Sequence, residues 1–159
     1  MKTAVSIISL FIAMLFVSCA PPPLQEPAGI KNEIIVDGTY DEIWENIISY
    51  FSQAMIPVKN IEKSSGFLET DFMSVDGNIL AGYIWNGKRL PSLLYNRGRM
   101  RCNVFVKMIS PQKTSVRINT YTEIYRERVL DDPGDYETAK STGKYESHLI
   151  EYLISKNKQ

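Results

Sequence analysis

Polar and apolar residues alternate with a period of two along two long stretches of the chain, and apolar residues recur every three to four positions along two others. In 99–108, Met100, Cys102, Val104, Val106 and Met108 alternate with Arg99, Arg101, Asn103, Phe105 and Lys107. That pattern predicts a strand with one apolar face and Cys102 turned toward the core. After the turn residues Ser110, Pro111, Gln112 and Lys113, the stretch 115–125 repeats the pattern, with Val116, Ile118 and Ile124 inward and Arg117, Asn119, Tyr121 and Glu123 outward. The two stretches predict an antiparallel hairpin. Upstream, Thr39-Tyr40-Asp41-Glu42 has the Ser/Thr-x-x-Glu form of a capping box and opens a helix expected over 40–55. Its stripe is Tyr40, Ile43, Trp44, Ile47, Ile48, Phe51 and Met55, and Pro57 stops it. A short strand over 33–37 precedes it. Strands over 58–62 and 67–72 follow, joined by Lys63-Ser64-Ser65-Gly66, in which Gly66 supplies the turn. Tyr145, Leu149, Ile150, Tyr152, Leu153 and Ile154 mark a closing amphipathic helix after a loop at 131–135. The expected fold is α+β: an antiparallel sheet packed by an N-terminal and a C-terminal helix.

The N-terminus follows a different rule. Lys2 precedes fourteen mostly apolar residues, 4–17, too few to span a bilayer, which needs about 20, but suited to a secretory signal peptide. Phe16-Val17-Ser18-Cys19 resembles the lipobox of bacterial lipoproteins. That resemblance implies removal of residues 1–18, diacylation of the Cys19 thiol and acylation of the new amino terminus. Two acyl chains anchor a protein stably where one does so only marginally. Phe16 stands where lipoboxes favour Leu. The competing reading is a secretory peptide cleaved after Ala20, with Cys19 a passenger. In the enteric-type sorting rule Asp after the modified Cys retains the protein in the inner membrane; Ala20 in that place implies a lipid-anchored outer-membrane protein, facing the periplasm. Pro21, Pro22, Pro23 and Pro27 lie in a tether, residues 19–30, extended in polyproline fashion over about 25–30 Å. Residues 31–159 then make one domain, large enough to bury a core without metals or cross-links.

Charge and cysteine content narrow the class. The chain holds 18 basic and 18 acidic residues, and losing Lys2 with the leader leaves a formal net charge of −1. A chain without a basic footprint has no electrostatic case for nucleic acid. With Cys19 acylated, Cys102 is the only thiol left, so no intrachain disulfide is expected.

Catalytic groups are scarce. His148 is the only histidine and sits at the border of the closing helix's apolar face, which suits a packed edge position better than a general base. A multi-histidine zinc site is impossible, and no metal or other cofactor is expected beyond the covalent lipid on Cys19. No Gly-x-Ser-x-Gly elbow or phosphate-binding Gly-rich loop occurs. Glu69 and Asp71, two apart on an expected strand, read as a solvated strand face rather than an acid/base pair. Asp131, Asp132 and Asp135 lack EF-hand spacing, and Pro133-Gly134 among them reads as a turn. No catalytic residue is assigned.

The candidate binding surface is 83–101, a long connection between strands, together with the exposed face of the central hairpin. The connection combines Tyr83, Trp85 and Tyr95 with Lys88, Arg89, Arg97, Arg99 and Arg101. Rings and guanidinium groups together suit protein interfaces and anionic envelope polymers. The alternative is that Trp85 packs over the sheet while the charges are solvated.

The chain also resembles the helix-grip domains of BamC-type and related bacterial envelope lipoproteins. The resemblance lies in Tyr40-Asp41-Glu42-Ile43-Trp44, Ile56-Pro57-Val58, Ile61-Glu62-Lys63 and Ser65-Gly66-Phe67-Leu68-Glu69-Thr70, with Ser141-Thr142-Gly143-Lys144-Tyr145-Glu146 before the closing helix. BamC-type proteins carry two such domains and this chain one. The resemblance implies a helix-grip-like fold and a non-catalytic accessory or binding module on a membrane. The anchor, the short stalk and the lack of a catalytic constellation make an envelope protein or an anionic envelope polymer the expected partner. A second expectation is a carrier of a small hydrophobic molecule or lipid, held in a cavity between sheet and helix.

Overall fold

The computed structural model describes residues 29–76, 82–85, 97–126 and 134–157. The leader, Cys19, most of the tether, Lys88, Arg89, Tyr95, Asp131 and Asp132 therefore lie outside the described residues. Ten elements follow in chain order: β1 (Glu33–Asp37), α1 (Tyr40–Gln53), β2 (Val58–Glu62), β3 (Phe67–Thr70), β4 (Met73–Asp76), β5 (Ile84–Trp85), β6 (Arg97–Ser110), β7 (Lys113–Arg126), β8 (Asp135–Ser141) and α2 (Lys144–Lys156). The fold is α+β, with eight strands and two helices among the described residues.

The hairpin of β6 and β7 is the spine. Its register runs from Gly98 opposite Ile124 to Ser110 opposite Lys113, with an irregularity between Met108 and Ser110. Each long strand is flanked by two shorter ones in tandem. β3 lies along the Asn103–Phe105 part of β6, with β2 beyond it, and β4 along Arg97–Met100. On the far side, β1 pairs with the Lys113–Arg117 part of β7 and β8 with Thr122–Arg126, with β5 on the outer edge of β8. All these pairings are antiparallel.

Alternation along the spine sorts its residues onto two faces. Met100, Cys102, Val104, Val106, Val116, Ile118 and Ile124 are buried beneath the helices, joined by Leu68, Ile43, Ile47, Phe51, Leu149 and Leu153 in one core. The α1 cap forms as expected. The Thr39 hydroxyl accepts from the Glu42 N–H at 3.3 Å, and the Glu42 carboxylate accepts from the Thr39 N–H at 2.9 Å. The cap of α2 is assembled differently. Gly143, at the N-cap, donates its N–H to the Ser141 hydroxyl (3.0 Å), which donates to the Glu146 carboxylate in the first turn (2.9 Å).

Several expectations need correction. The first helix ends at Gln53, and Met55, placed on its buried stripe, has φ of 52° and is 89% exposed. With Pro57 two residues on, the chain leaves the helix before Met55 can join the stripe. Met108 is exposed rather than buried, because the spine's tip runs past the helices and loses regular register there. Ile154 is also exposed. β4, β5 and β8 were not anticipated, so part of the expected connection at 83–101 is strand. The expected strand 67–72 stops at Thr70. Leu68 and Thr70 are buried, then Met73 and Val75 turn toward the core. The extra residue in that spacing shifts the alternation, as a bulge does.

An arginine–aromatic face on the sheet

The face of the sheet turned away from the helices carries a layered array. Arg97, Arg99 and Arg101 occupy alternate positions of β6 and so project side by side. Aromatic rings from neighbouring strands fill the spaces between them. The Arg97 guanidinium lies 4.2 Å from the centre of the Tyr125 ring. Arg99 is held between Tyr136 of β8 (3.9 Å) and Phe72 (4.4 Å), and Arg101 between Phe72 (5.2 Å) and Tyr121 (5.3 Å). Phe72 reaches this position through the shift in alternation between β3 and β4.

Two of the three cations are neutralised. Arg99 donates to the Glu123 carboxylate, which also accepts from the Tyr121 hydroxyl at 3.1 Å. Arg101 donates to the Glu69 carboxylate at 2.6 Å. Arg97 is exposed at the end of the row, with Asp76 opposite it on β4. The Arg99 and Arg101 guanidinium groups are therefore held by aromatic contact and by ion pairing at once. Each cation–π contact at a partly exposed site is worth about 0.5–1 kcal/mol, so the array is stiff rather than strongly stabilising.

The remaining expected surface residues divide. Trp85 is opposite Lys140 at the sheet's edge, with the ammonium 5.7 Å from its ring. Its indole N–H is buried without a hydrogen-bond partner among the described residues. Tyr83 turns the other way and packs edge-to-face on His148 at 6.0 Å. It helps to line a cleft of about 320 Å³ where the sheet and helices part, with Tyr50, Met73, Val75, Met100 and Tyr145. The expected surface thus comprises two places: the three arginines and Trp85 on one face, Tyr83 on the other.

The other chemical candidates are dispersed. Glu69 is spent on Arg101, whereas Asp71 lies beyond the end of β3 and accepts from the Phe72 N–H. They form no pair on a shared strand, as the sequence had implied, because the chain kinks between them. Asp135 accepts from the Tyr136 N–H. Cys102 is fully buried; its thiol donates to the Tyr145 hydroxyl at 3.8 Å. Burial pushes the thiol up to about 12, leaving almost no thiolate near neutral pH. Burial likewise raises the Tyr145 hydroxyl.

Sequence reasoning placed Tyr121 and Glu123 on the exposed hairpin face and missed Phe72, Tyr125, Tyr136 and Glu69 as members of the array. Outward placement of Tyr121 and Glu123 was legible from the strand period, but their meeting with the arginines needs the register. In comparison with protein-family models and with curated proteins, the chain matches none.

Proposed function

We propose that this protein is a lipid-anchored, non-catalytic binding module of the bacterial outer membrane, held by acyl chains on Cys19 and facing the periplasm. Its binding face is the array of Arg97, Arg99 and Arg101 with Tyr121, Tyr125 and Phe72. The observation that carries the reading is the row of three arginines against aromatic rings on an open sheet face, Arg99 and Arg101 each between two rings and Arg97 over one. Arginine and aromatic side chains are the residues most enriched where partners bind, and pre-ordered side chains lose little entropy on binding. Pairing with Glu69 and Glu123 leaves little net charge, which favours an envelope protein as partner over an anionic polymer. The helix-grip-like description, and with it kinship to BamC-type lipoproteins, draws support from both helices lying on one face of an antiparallel sheet.

A photo-crosslinking residue at Thr138, beside the array, tests this in cells producing the full chain. The expected result is a discrete adduct that is absent when the probe replaces Glu151 on α2 and lost with Arg97→Glu. Identical adducts from both positions would remove this face from consideration.

A carrier is the second reading, favoured by the cleft around Tyr50, Met73, Met100 and Tyr145. Native mass spectrometry of protein extracted from membranes would then find a bound hydrophobic molecule, displaced in Val75→Trp. Protein free of any such adduct would rule the carrier out.

A further inference from the structure

The tip of the β6–β7 spine is apolar in a way that the core does not require. Met108 and Ile109 are 56% and 52% exposed, and Ile35 (65%) and Phe105 (41%) are exposed on the sheet face turned away from the helices, in rows that also hold Lys107, Ser115 and Arg117. Lys107 and Lys113 flank the tip. The acidic groups nearby are engaged: Asp37 with Lys113, and Asp41 and Glu45 with Lys63. Lys107 has no ion-pair partner among the described residues.

The tether sets whether this tip can reach a membrane. The described chain starts at Gly29, and the Asn32 carbonyl accepts from Ile118 of β7, while Gly29 and Ile30 lie farther along, beside Thr120, seven residues from the tip at Lys113. At about 3.4 Å per residue the root of the tether stands roughly 24 Å from the tip. Residues 19–28 reach about 30 Å if extended as their prolines dictate, so a chain anchored at Cys19 can bring the tip to the bilayer without strain. We infer that the β6–β7 tip docks on the lipid surface, with Met108 and Ile109 entering the headgroup region and Lys107 reaching the phosphates. An apolar element rimmed by lysine is suited to that boundary. The arginine–aromatic face then lies at the far end of the spine, turned toward the periplasm. This inference rests on the anchor reading.

The test uses the acylated full chain in vesicles of phosphatidylethanolamine and phosphatidylglycerol, with an environment-sensitive fluorophore at Ile109→Cys, at Ile35→Cys or, as control, at Ile154→Cys on α2. Cys102 is buried and escapes labelling. The expected result is blue-shifted emission and reduced quenching by aqueous iodide at 109, and to a lesser degree at 35, compared with 154. Equal quenching at 109 and 154 in anchored protein overturns the docking while leaving the anchor intact. Protection at 109 that appears only at high protein-to-lipid ratio overturns it in favour of contact between copies. Mass spectrometry of the mature amino terminus without acyl chains overturns the anchor, and the docking with it.

Discussion

Cys102 shows how far burial alone governs a reactive group. Its thiol is enclosed by Thr70, whose hydroxyl accepts from the Cys102 N–H at 3.0 Å, and by Tyr145. In the unfolded chain it titrates near the ordinary value of 9; in the folded protein burial holds the proton until about 12. Between those values the unfolded state binds fewer protons than the folded state does. The sign follows: this contribution is whole below pH 9 and is lost as pH rises from 9 to about 12, about 4 kcal/mol at most. Urea unfolding of wild type and Cys102→Ala across that range should converge as pH rises, the variant lacking this limb. At pH 7.5 a thiol reagent should modify Cys102 of the native protein only at the rate of unfolding, and modification as fast as that of a free thiol would contradict the enclosed geometry.

Local geometry fixes the elements with little redundancy, and two positions test it. Gly66 closes the β2–β3 hairpin with φ of 71°, and a Cβ there would stand 2.0 Å from the Val106 carbonyl oxygen of β6. Because backbone rather than a flexible side chain is in the way, Gly66→Ala should cost at least about 2 kcal/mol, read as a lowered urea midpoint. Thr39→Ala removes one half of the α1 capping box and should cost about 1 kcal/mol. Separate hydrogen bonds, donated to the Glu42 carboxylate by the Thr39 N–H and then by its hydroxyl, hold that carboxyl below its ordinary 4.5. Stability from that carboxylate is present above 4.5 and lost as pH falls through its folded value, so the acid limb of unfolding should flatten in part in Thr39→Ala, which loses the hydroxyl donor and keeps the backbone one.

Those elements also mark the limit of legibility. α1 and the β6–β7 hairpin were readable because each buries a full stripe of large apolar residues. β8 was not, since the residues it turns inward, Glu137, Ala139 and Ser141, include none that is large and apolar. The arginine row was visible in sequence; its rings were not, because Phe72 arrives through an extra residue between β3 and β4 and Tyr136 through the register of an unforeseen strand.

At the scale of the molecule, both helices and the whole apolar core rest on a single hairpin. β6 has 14 residues and spans about 45 Å at the rise of an extended strand, and the helices leave its turn end uncovered. Aliphatic residues are exposed at that turn, whereas toward the other end the arginines and rings occupy the face turned away from the helices. A continuous core implies that neither end unfolds by itself. Trp44 reports from beneath α1, where it is buried in that core, and Trp85 reports from the edge strand β5. Since β5 is only two residues long and joins the sheet through β8, it is the element with the weakest claim to cooperativity. Comparison of the Trp85→Phe and Trp44→Phe proteins separates the two signals. Thermal melting followed by Trp44 should coincide with loss of far-UV circular dichroism. The Trp85 signal should follow the same curve if Lys140 and Ser141 hold β5 against β8 as firmly as the core holds β7. Melting of the Trp85 signal ahead of the rest by several degrees would make the β5 edge a separate, looser unit and place the rigid binding face on Arg97, Arg99 and Arg101 alone.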